Sequence, residues 1–284
     1  MNILIAVNDG YFKPARVMLT SLCVNNTFEE HNVYLLYHDL NENSIENLRT
    51  TMKKYNCMVH PVYVDDDKFN DLPVSHHFSI ETYYRFLMQT MVPSELERIL
   101  WLDADMIIKG DLKEFYYQDF DDNYIAVCKS INKDPDSLIR KLCLPQNTVY
   151  FNAGIILFNL TKIRNEIDPR VYFEYAQENA EKITWLDQDI LNAIFCNKKI
   201  VHGYKKYNYQ HFTESDFSKQ EKSIIDNDTV VLHYIGNVKP WHFKYIGYTL
   251  KYYRRYARAY ESIIDNIKFD FFHYAYLMKR KVKR

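Results

Sequence analysis

The sequence predicts an α/β protein with a mostly parallel central sheet flanked by helices, followed by a C-terminal helical extension. Three observations carry this reading. Continuous apolar runs of strand length alternate with helical-period segments through the first hundred residues, an order that gives a parallel sheet covered on both faces. Beyond residue 120 strands and helices cease to alternate, which predicts a mixed sheet and long functional loops. Residues 251–284 combine helical-period apolar positions with a basic end.

The elements follow in order. "ILIAV" (3–7) is an apolar strand, and Ala15, Met18, Leu19, Leu22 and Cys23 mark a helix ending at "NNT". "VYLLYH" (33–38) is the second strand, followed by a helix with Ile45, Leu48, Met52 and Tyr55 in register. "MVHPVYV" (58–64) precedes a third helix over "SIETYYRFLMQTM" (79–91), and "RILWLD" (98–103) is the fourth strand. "YIAVCK" (124–129), "AGIILFNL" (153–160) and "TVVLHYI" (229–235) read as further strands, and "DQDILNAIFC" (187–196) opens a helix. Aromatic and methionine stripes on these helices read as core packing. The expected organisation is one domain over residues 1–245 and a basic helical extension over 246–284.

Composition narrows the classes. The chain has 284 residues, 47% apolar and 26% charged, which is ordinary for a globular protein. No apolar run reaches the roughly 18 residues that a membrane span needs. "MNILIAVNDGYF" lacks a basic n-region and reads as a core strand, not a signal peptide. The five cysteines (23, 57, 128, 143 and 196) are scattered without a C-x-x-C pair, which suits a reducing cytoplasm and argues against zinc or a disulfide frame. The net charge of −1 is polarised: residues 239–284 hold 12 Lys/Arg against 3 Asp/Glu. The tail, not the body, is therefore expected to meet a polyanion. Six glycines allow neither a dinucleotide fingerprint nor a P-loop. Another positive charge must hold any bound phosphate.

The segment "RILWLDADMIIK" (98–109) sets Asp103 and Asp105 in an otherwise apolar run. D-x-D occurs six times, starting at residues 65, 103, 119, 134, 187 and 226, but only Asp103 and Asp105 close an apolar strand of the expected sheet. Ligands bind open α/β sheets at the carboxyl ends of their strands. If the chain stays extended through Ala104, both carboxylates face one side and suit Mn²⁺ or Mg²⁺; the bland alternative is backbone capping. The first strand ends on the same rim in "VNDGYF", where Asn8 and Asp9 can hydrogen-bond a base or ribose and Tyr11 can stack. N-D-G is equally good chemistry for an ordinary turn. In "LHYIGNVKPWH" (232–242), His233 could add an imidazole, favouring Mn²⁺ over Mg²⁺. Gly236 frees the backbone, and Lys239 could neutralise a phosphate.

Six segments in order, "IAVNDGY", "SIETYYRF", "ILWLDADMII", "YFNAGIILFNL", "WLDQDILN" and "HYIGNVKPWH", resemble glycosyltransferase family 8. This GT-A-fold group includes bacterial lipooligosaccharide galactosyltransferases and glycogenin. The resemblance spans about residues 1–245 and implies a UDP-hexose donor, galactose or glucose, held with Mn²⁺. It implies Asp103, Asp105 and His233 as metal ligands. The donor would meet Ala6, Asn8, Gly10 and Tyr11 on the first turn, and Arg85, Ala104, Asn152, Ala153 and Gly154 on the sugar and ribose side. Gly236 and Lys239 would meet the diphosphate, and Asp187 and Gln188 would face the transferred sugar. The first turn departs from the common pattern, with Asn8 where Asp is frequent and Gly10 where Asn is frequent.

Similar enzymes retain anomeric configuration. Gln188, at the candidate nucleophile position, is an amide and a poor nucleophile, which favours attack from the leaving-group face. Asp189 is an outside candidate for a covalent role, against its reading as a carboxylate favoured by a helix dipole. Competing readings are a haloacid-dehalogenase-type phosphatase with Asp103 as nucleophile, a sugar nucleotidyltransferase, and a non-catalytic nucleotide-sugar-binding protein. In the tail, Ile263/Ile264, Ile267, Phe271, Tyr274/Ala275 and Met278 share helical spacing before a Lys/Arg cluster. That pattern fits an interfacial helix on anionic lipid at the inner membrane face, with a glycan or glycolipid acceptor. No nucleic-acid recognition module accompanies it.

Overall fold

β1 (Asn2–Ala6) opens the chain as a strand whose middle residues Ile3, Leu4 and Ile5 are wholly buried. The structure is a computed structural model that describes residues 1–65, 69, 80–213 and 216–282. Ser79 and the His76–His77 pair lie outside the described residues.

After β1 come α1 (Asp9–Asn25), β2 (His31–Tyr37), α2 (Glu42–Lys53), β3 (Cys57–Tyr63) and a 3₁₀ helix (Ile80–Gln89). Then follow β4 (Arg98–Leu102), β5 (Met106–Ile108), α3 (Lys113–Tyr116), β6 (Ile125–Lys129), α4 (Pro135–Lys141) and β7 (Phe151–Asn159). The remainder is α5 (Leu160–Glu166), α6 (Val171–Glu178), α7 (Asp187–Ile194), β8 (Lys199–His202), α8 (Tyr204–Tyr207), β9 (Tyr209–His211), α9 (Lys219–Asn227), β10 (Val231–Tyr234), α10 (Leu250–Ala257) and α11 (Ile263–Val282).

Seven strands form the main sheet in the order β3-β2-β1-β4-β7-β6-β8. The β3-β2-β1-β4 half is parallel, as the early alternation predicts. β7 runs antiparallel to both β4 and β6, which gives the mixed second half. The expected third helix winds as 3₁₀ instead of α. Its Tyr83, Tyr84, Phe86, Leu87 and Met88 are all buried, so neighbours enclose it on several sides, whereas an amphipathic α-helix would present one stripe.

Two registers bring distant segments to one place. Because β7 is antiparallel to β4, its first residues lie beside the end of β4: Leu102 pairs with Ile155, and the Asp103 N–H donates to Gly154 O at 2.9 Å. A smaller sheet, β5-β10-β9, crosses next to it. There His233 pairs with Met106, and the Tyr234 N–H donates to Asp105 O at 3.0 Å. Pairing of β5 with β10 thus carries His233 across more than a hundred residues of chain to the aspartates.

At the C-terminal end, α10 packs Tyr253, Tyr256 and Ala257 into a cluster with Ile107, Leu232 and Tyr234. α11 is tethered to α10 through Arg254, which donates to Asn266 Oδ1 at 2.6 Å, and to the segment before α10 through the His273 imidazole, 2.7 Å from Phe243 O.

Candidate metal and donor site

β4 stops at Leu102, and Ala104–Asp105 form a turn into β5. The condition under which a period of two would aim both carboxylates to one side, an extended chain through Ala104, is therefore not met. The carboxylates nonetheless converge, because the turn carries Asp105 from the main sheet to the small one. Ligand atoms of Asp103, Asp105 and His233 lie within 4.8 Å of one another. His233 Nε2 is 3.3 Å from Asp105 Oδ1 and 3.8 Å from Asp103 Oδ2.

Each carboxylate keeps one oxygen for protein partners. Asp103 Oδ1 accepts from Trp101 Nε1 at 2.8 Å and from Arg85 at 3.1 Å. Asp105 Oδ2 accepts from Lys239 Nζ at 2.6 Å. Among the described residues Asp105 Oδ1 is buried with no hydrogen-bond partner, a costly state for a carboxylate oxygen. Hard oxygen donors with one imidazole and an orphaned buried oxygen facing the cluster fit a divalent cation. Burial works against ionisation of Asp105, but the Lys239 ammonium overcomes it and holds the group well below the usual carboxylate range. Burial likewise opposes the Lys239 charge, and Asp105 more than offsets that, leaving the ammonium above the usual lysine range.

Arg85, 4% exposed, lies between Asp103 and the start of β7. Its guanidinium donates to Ala153 O, Thr82 O and Asp103, and stacks over Trp101 with its central carbon 4.3 Å from the ring centroid. Asp187 Oδ2 is 2.9 Å from Arg85 Nε, whose N–H points to Thr82 O, and it receives no hydrogen bond among the described residues. Burial raises the Asp187 carboxyl to about 7, opposed by Arg85 and reinforced by Asp103.

Gln188 enters from the start of α7. Its Oε1 accepts from Asn152 Nδ2 at 2.9 Å and from the Ala153 N–H at 3.1 Å, and its Nε2 donates to Tyr150 at 3.1 Å. The preceding turn, Trp185–Gln188, closes with Gln188 N–H on Trp185 O at 3.0 Å. Leu186 holds φ 44° and ψ −121° there, a conformation that suits glycine and is strained for leucine. Asp189 keeps the turn closed: its Oδ2 accepts from the N–H groups of Thr184 (2.6 Å) and Trp185 (2.8 Å), and its Oδ1 accepts from Tyr150. Both Asp189 oxygens are thereby engaged in structure.

On the opposite rim Asn8 caps α1, its Oδ1 accepting from the Tyr11 N–H at 3.1 Å. Tyr11 is 36% exposed and meets Trp241 edge-on at 5.5 Å. Burial raises the Tyr11 hydroxyl, and Lys239 partly offsets it. Ala6 ends β1, Gly10 lies in the first turn of α1 and Ala104 begins the turn after β4, so these three offer only backbone polar groups. Gly236 has φ 87° and sits against Phe212. Sequence reasoning missed Trp101, Tyr150, Asn208 and Trp241. Trp101 alone had a signal: two residues before Asp103, it shares that residue's face of the strand.

The family model described as Glycosyl transferase family 8 matches residues 2–245. A lipopolysaccharide 1,2-glucosyltransferase of Escherichia coli is 28% identical over 248 residues, covering 85% of this chain and 73% of that protein. A lipopolysaccharide 1,3-galactosyltransferase of Salmonella typhimurium is 27% identical over 246 residues, covering 85% and 73%. Among solved structures, the galactosyltransferase LgtC in complex with donor and acceptor sugar analogs superposes with a TM-score of 0.80 at 21% identity, covering 93% of this chain and 97% of that one. That likeness concerns the fold, which is GT-A. A match over nearly the whole sheet-bearing region makes the protein a glycosyltransferase: the chain belongs to glycosyltransferase family 8.

Proposed function

We propose that the protein is a metal-dependent retaining hexosyltransferase that moves galactose or glucose from a UDP-sugar to a hydroxyl of a lipopolysaccharide-type glycan or glycolipid. The observation that carries this is the convergence of Asp103, Asp105 and His233 beside Lys239. The two bacterial relatives, one named for glucosyl and one for galactosyl transfer to lipopolysaccharide, support the substrate class and leave both hexoses in play. Mn²⁺ is the preferred ion because of the imidazole, with Mg²⁺ as its substitute.

Asp103, Asp105 and His233 would hold the ion, which when bound neutralises the diphosphate and stabilises the departing phosphate oxygen. Lys239 supplies a fixed positive charge at the same place. Tyr11 stacks on the base, with Ala6, Asn8 and Gly10 shaping its turn. Ala104 and Gly236 bring backbone groups to the phosphates, while Asn152, Ala153 and Gly154, whose N–H and amide groups are held within the protein, shape the ribose and sugar side. Asp187 and Arg85 line the hexose. Gln188 presents an amide whose oxygen already accepts two hydrogen bonds, and Asp189 is consumed by the turn. Neither is placed as a nucleophile, which supports attack of the acceptor hydroxyl on the leaving-group face, its proton passing to the departing phosphate oxygen. The test is donor hydrolysis and transfer by purified protein across a UDP-sugar panel with and without Mn²⁺. Metal-dependent turnover of UDP-galactose or UDP-glucose is expected; metal-independent turnover unaffected by Asp105→Ala would refute the assignment.

Residues 1–245 serve as the transferase unit and 246–284 as a docking extension, even though α10 shares the core. Ile263, Ile264, Ile267, Phe271, Tyr274 and Met278 are all more than half exposed on α11 at the spacing of one helical face. Lys279, Arg280, Lys281, Lys283 and Arg284 follow. No described helix is long and apolar enough to cross a membrane, so the fitting occupant is the surface of an anionic bilayer on the cytoplasmic side. Co-sedimentation with phosphatidylglycerol vesicles is expected, weakened by salt and about tenfold by the double variant Ile267→Glu, Phe271→Glu. Equal binding of that variant would remove α11 as the docking face.

A further inference from the structure

Five hydrogen bonds run unbroken from the metal cluster to the floor of the sugar site. His233 Nδ1 lies 2.9 Å from Asn208 Oδ1, and Asn208 Nδ2 donates to Asn152 Oδ1 at 2.8 Å. Asn152 Nδ2 donates to Gln188 Oε1, Gln188 Nε2 to the Tyr150 hydroxyl, and that hydroxyl to Asp189. Two backbone groups fix the direction of this chain. The Ala153 N–H donates to Gln188 Oε1 at 3.1 Å and the Gly154 N–H to Asn152 Oδ1 at 3.1 Å, so both of those atoms are oxygens. The Asn208 group facing Asn152 must then be its amide nitrogen, and the group facing His233 its oxygen. An oxygen opposite Nδ1 requires a proton on Nδ1. At the far end Tyr150 keeps the proton it donates, since burial and the Asp189 charge hold its hydroxyl well above the usual tyrosine range.

We infer that Asn208, wholly buried at the step from α8 into β9, is a positioning residue that fixes His233 in the Nδ1–H form and so presents the Nε2 lone pair to the metal position. The amide chain makes that tautomer depend on the same Asn152 and Gln188 that face the sugar. Asp189, the acceptor at its end, anchors the polarity of the whole chain. Imidazole ligands in general need such an acceptor on the second nitrogen, and its loss costs about 10- to 100-fold in metal affinity.

The inference rests on His233 being a metal ligand, and the experiment separates the two. Mn²⁺ binding is followed by electron paramagnetic resonance in the presence of UDP for the full chain, Asp105→Ala, Asn208→Leu and Asn208→Asp. Asn208→Leu is expected to weaken Mn²⁺ binding about 10- to 100-fold, while Asn208→Asp, which keeps an acceptor for Nδ1 but loses the donor to Asn152, weakens it less than Asn208→Leu does. Equal affinity in wild type and Asn208→Leu, with Asp105→Ala impaired, overturns the role of Asn208. Wild-type binding that Asp105→Ala leaves intact overturns the metal site itself. A readout free of any variant is the ¹⁵N spectrum of wild-type, metal-free protein recorded over a pH series: in its singly protonated form the His233 ring should carry the proton on Nδ1, and a lone proton on Nε2 contradicts the inference even if Asn208→Leu fails to fold.

Discussion

Asp105→Asn is expected to lower transfer by about 10³-fold, the rate equivalent of about 4 kcal/mol, and to weaken Mn²⁺ binding in parallel. The side chain changes little in volume, so the effect is one of charge. Lys239, 8% exposed, has Asp105 as its carboxylate partner at 2.6 Å, and removing one member of a buried pair costs about 3–5 kcal/mol because the other charge is stranded. The variant should therefore melt lower as well as turn over more slowly. Exposed pairs such as Arg49–Glu46 at 3.4 Å give the contrast, since Glu46→Gln should change neither property measurably. Initial rates at saturating UDP-sugar over a Mn²⁺ titration, with melting curves alongside, decide it. A rate above half of wild type with an unchanged metal requirement would remove Asp105 from the site.

Where the chain alternates strand and helix, periodicity was enough to read the fold. β1, β2, β3 and β4 are short apolar runs bounded by polar turns, and each pairs in parallel with its expected kind of neighbour. β5, β8 and β9 were not legible, because three or four residues give too little period to distinguish a strand from a loop. The winding of Ile80–Gln89 was also hidden, since what encloses those side chains comes from elsewhere in the sequence.

The site divides along the same line. Asp103 and Asp105 could be singled out from six similar pairs because position at a strand end is local information. His233 reads in sequence as a strand-end imidazole that gains weight only beside the aspartates; the physical reason for its reach, pairing of β5 with β10, is a contact over a long separation. Asn208 carried no signal at all. Its "KYNYQH" surroundings resemble any polar loop, and its burial arises only when β9 and β10 close over it. Asp189 shows the converse: a carboxylate that sequence left open between catalysis and capping is, in three dimensions, a clamp on a strained turn.

Gly154→Ala should reduce transfer about 10²-fold and weaken Mn²⁺ binding, although it adds one methyl group and no charge. A Cβ at this position would overlap His233 Cε1 and lie 2.9 Å from His233 Nδ1 and 2.8 Å from Met106 Cε. The methionine end can yield, but the backbone cannot, because Gly154 O accepts from the Asp103 N–H and the Gly154 N–H donates to Asn152. The imidazole must therefore move, and it cannot move without stretching its bond to Asn208. Displacement by about 1 Å at a reacting centre costs about 10²-fold, and overpacking costs about 1–3 kcal/mol of stability besides. Gly110→Ala supplies the control: its Cβ would meet Val230 at 3.5 Å, an ordinary contact, so activity and melting should stay near wild type. Paramagnetic resonance of bound Mn²⁺ in the Gly154 variant separates a displaced ligand from a general loss of fold. An undisturbed metal spectrum with a wild-type rate would mean that the glycine is not there to seat His233.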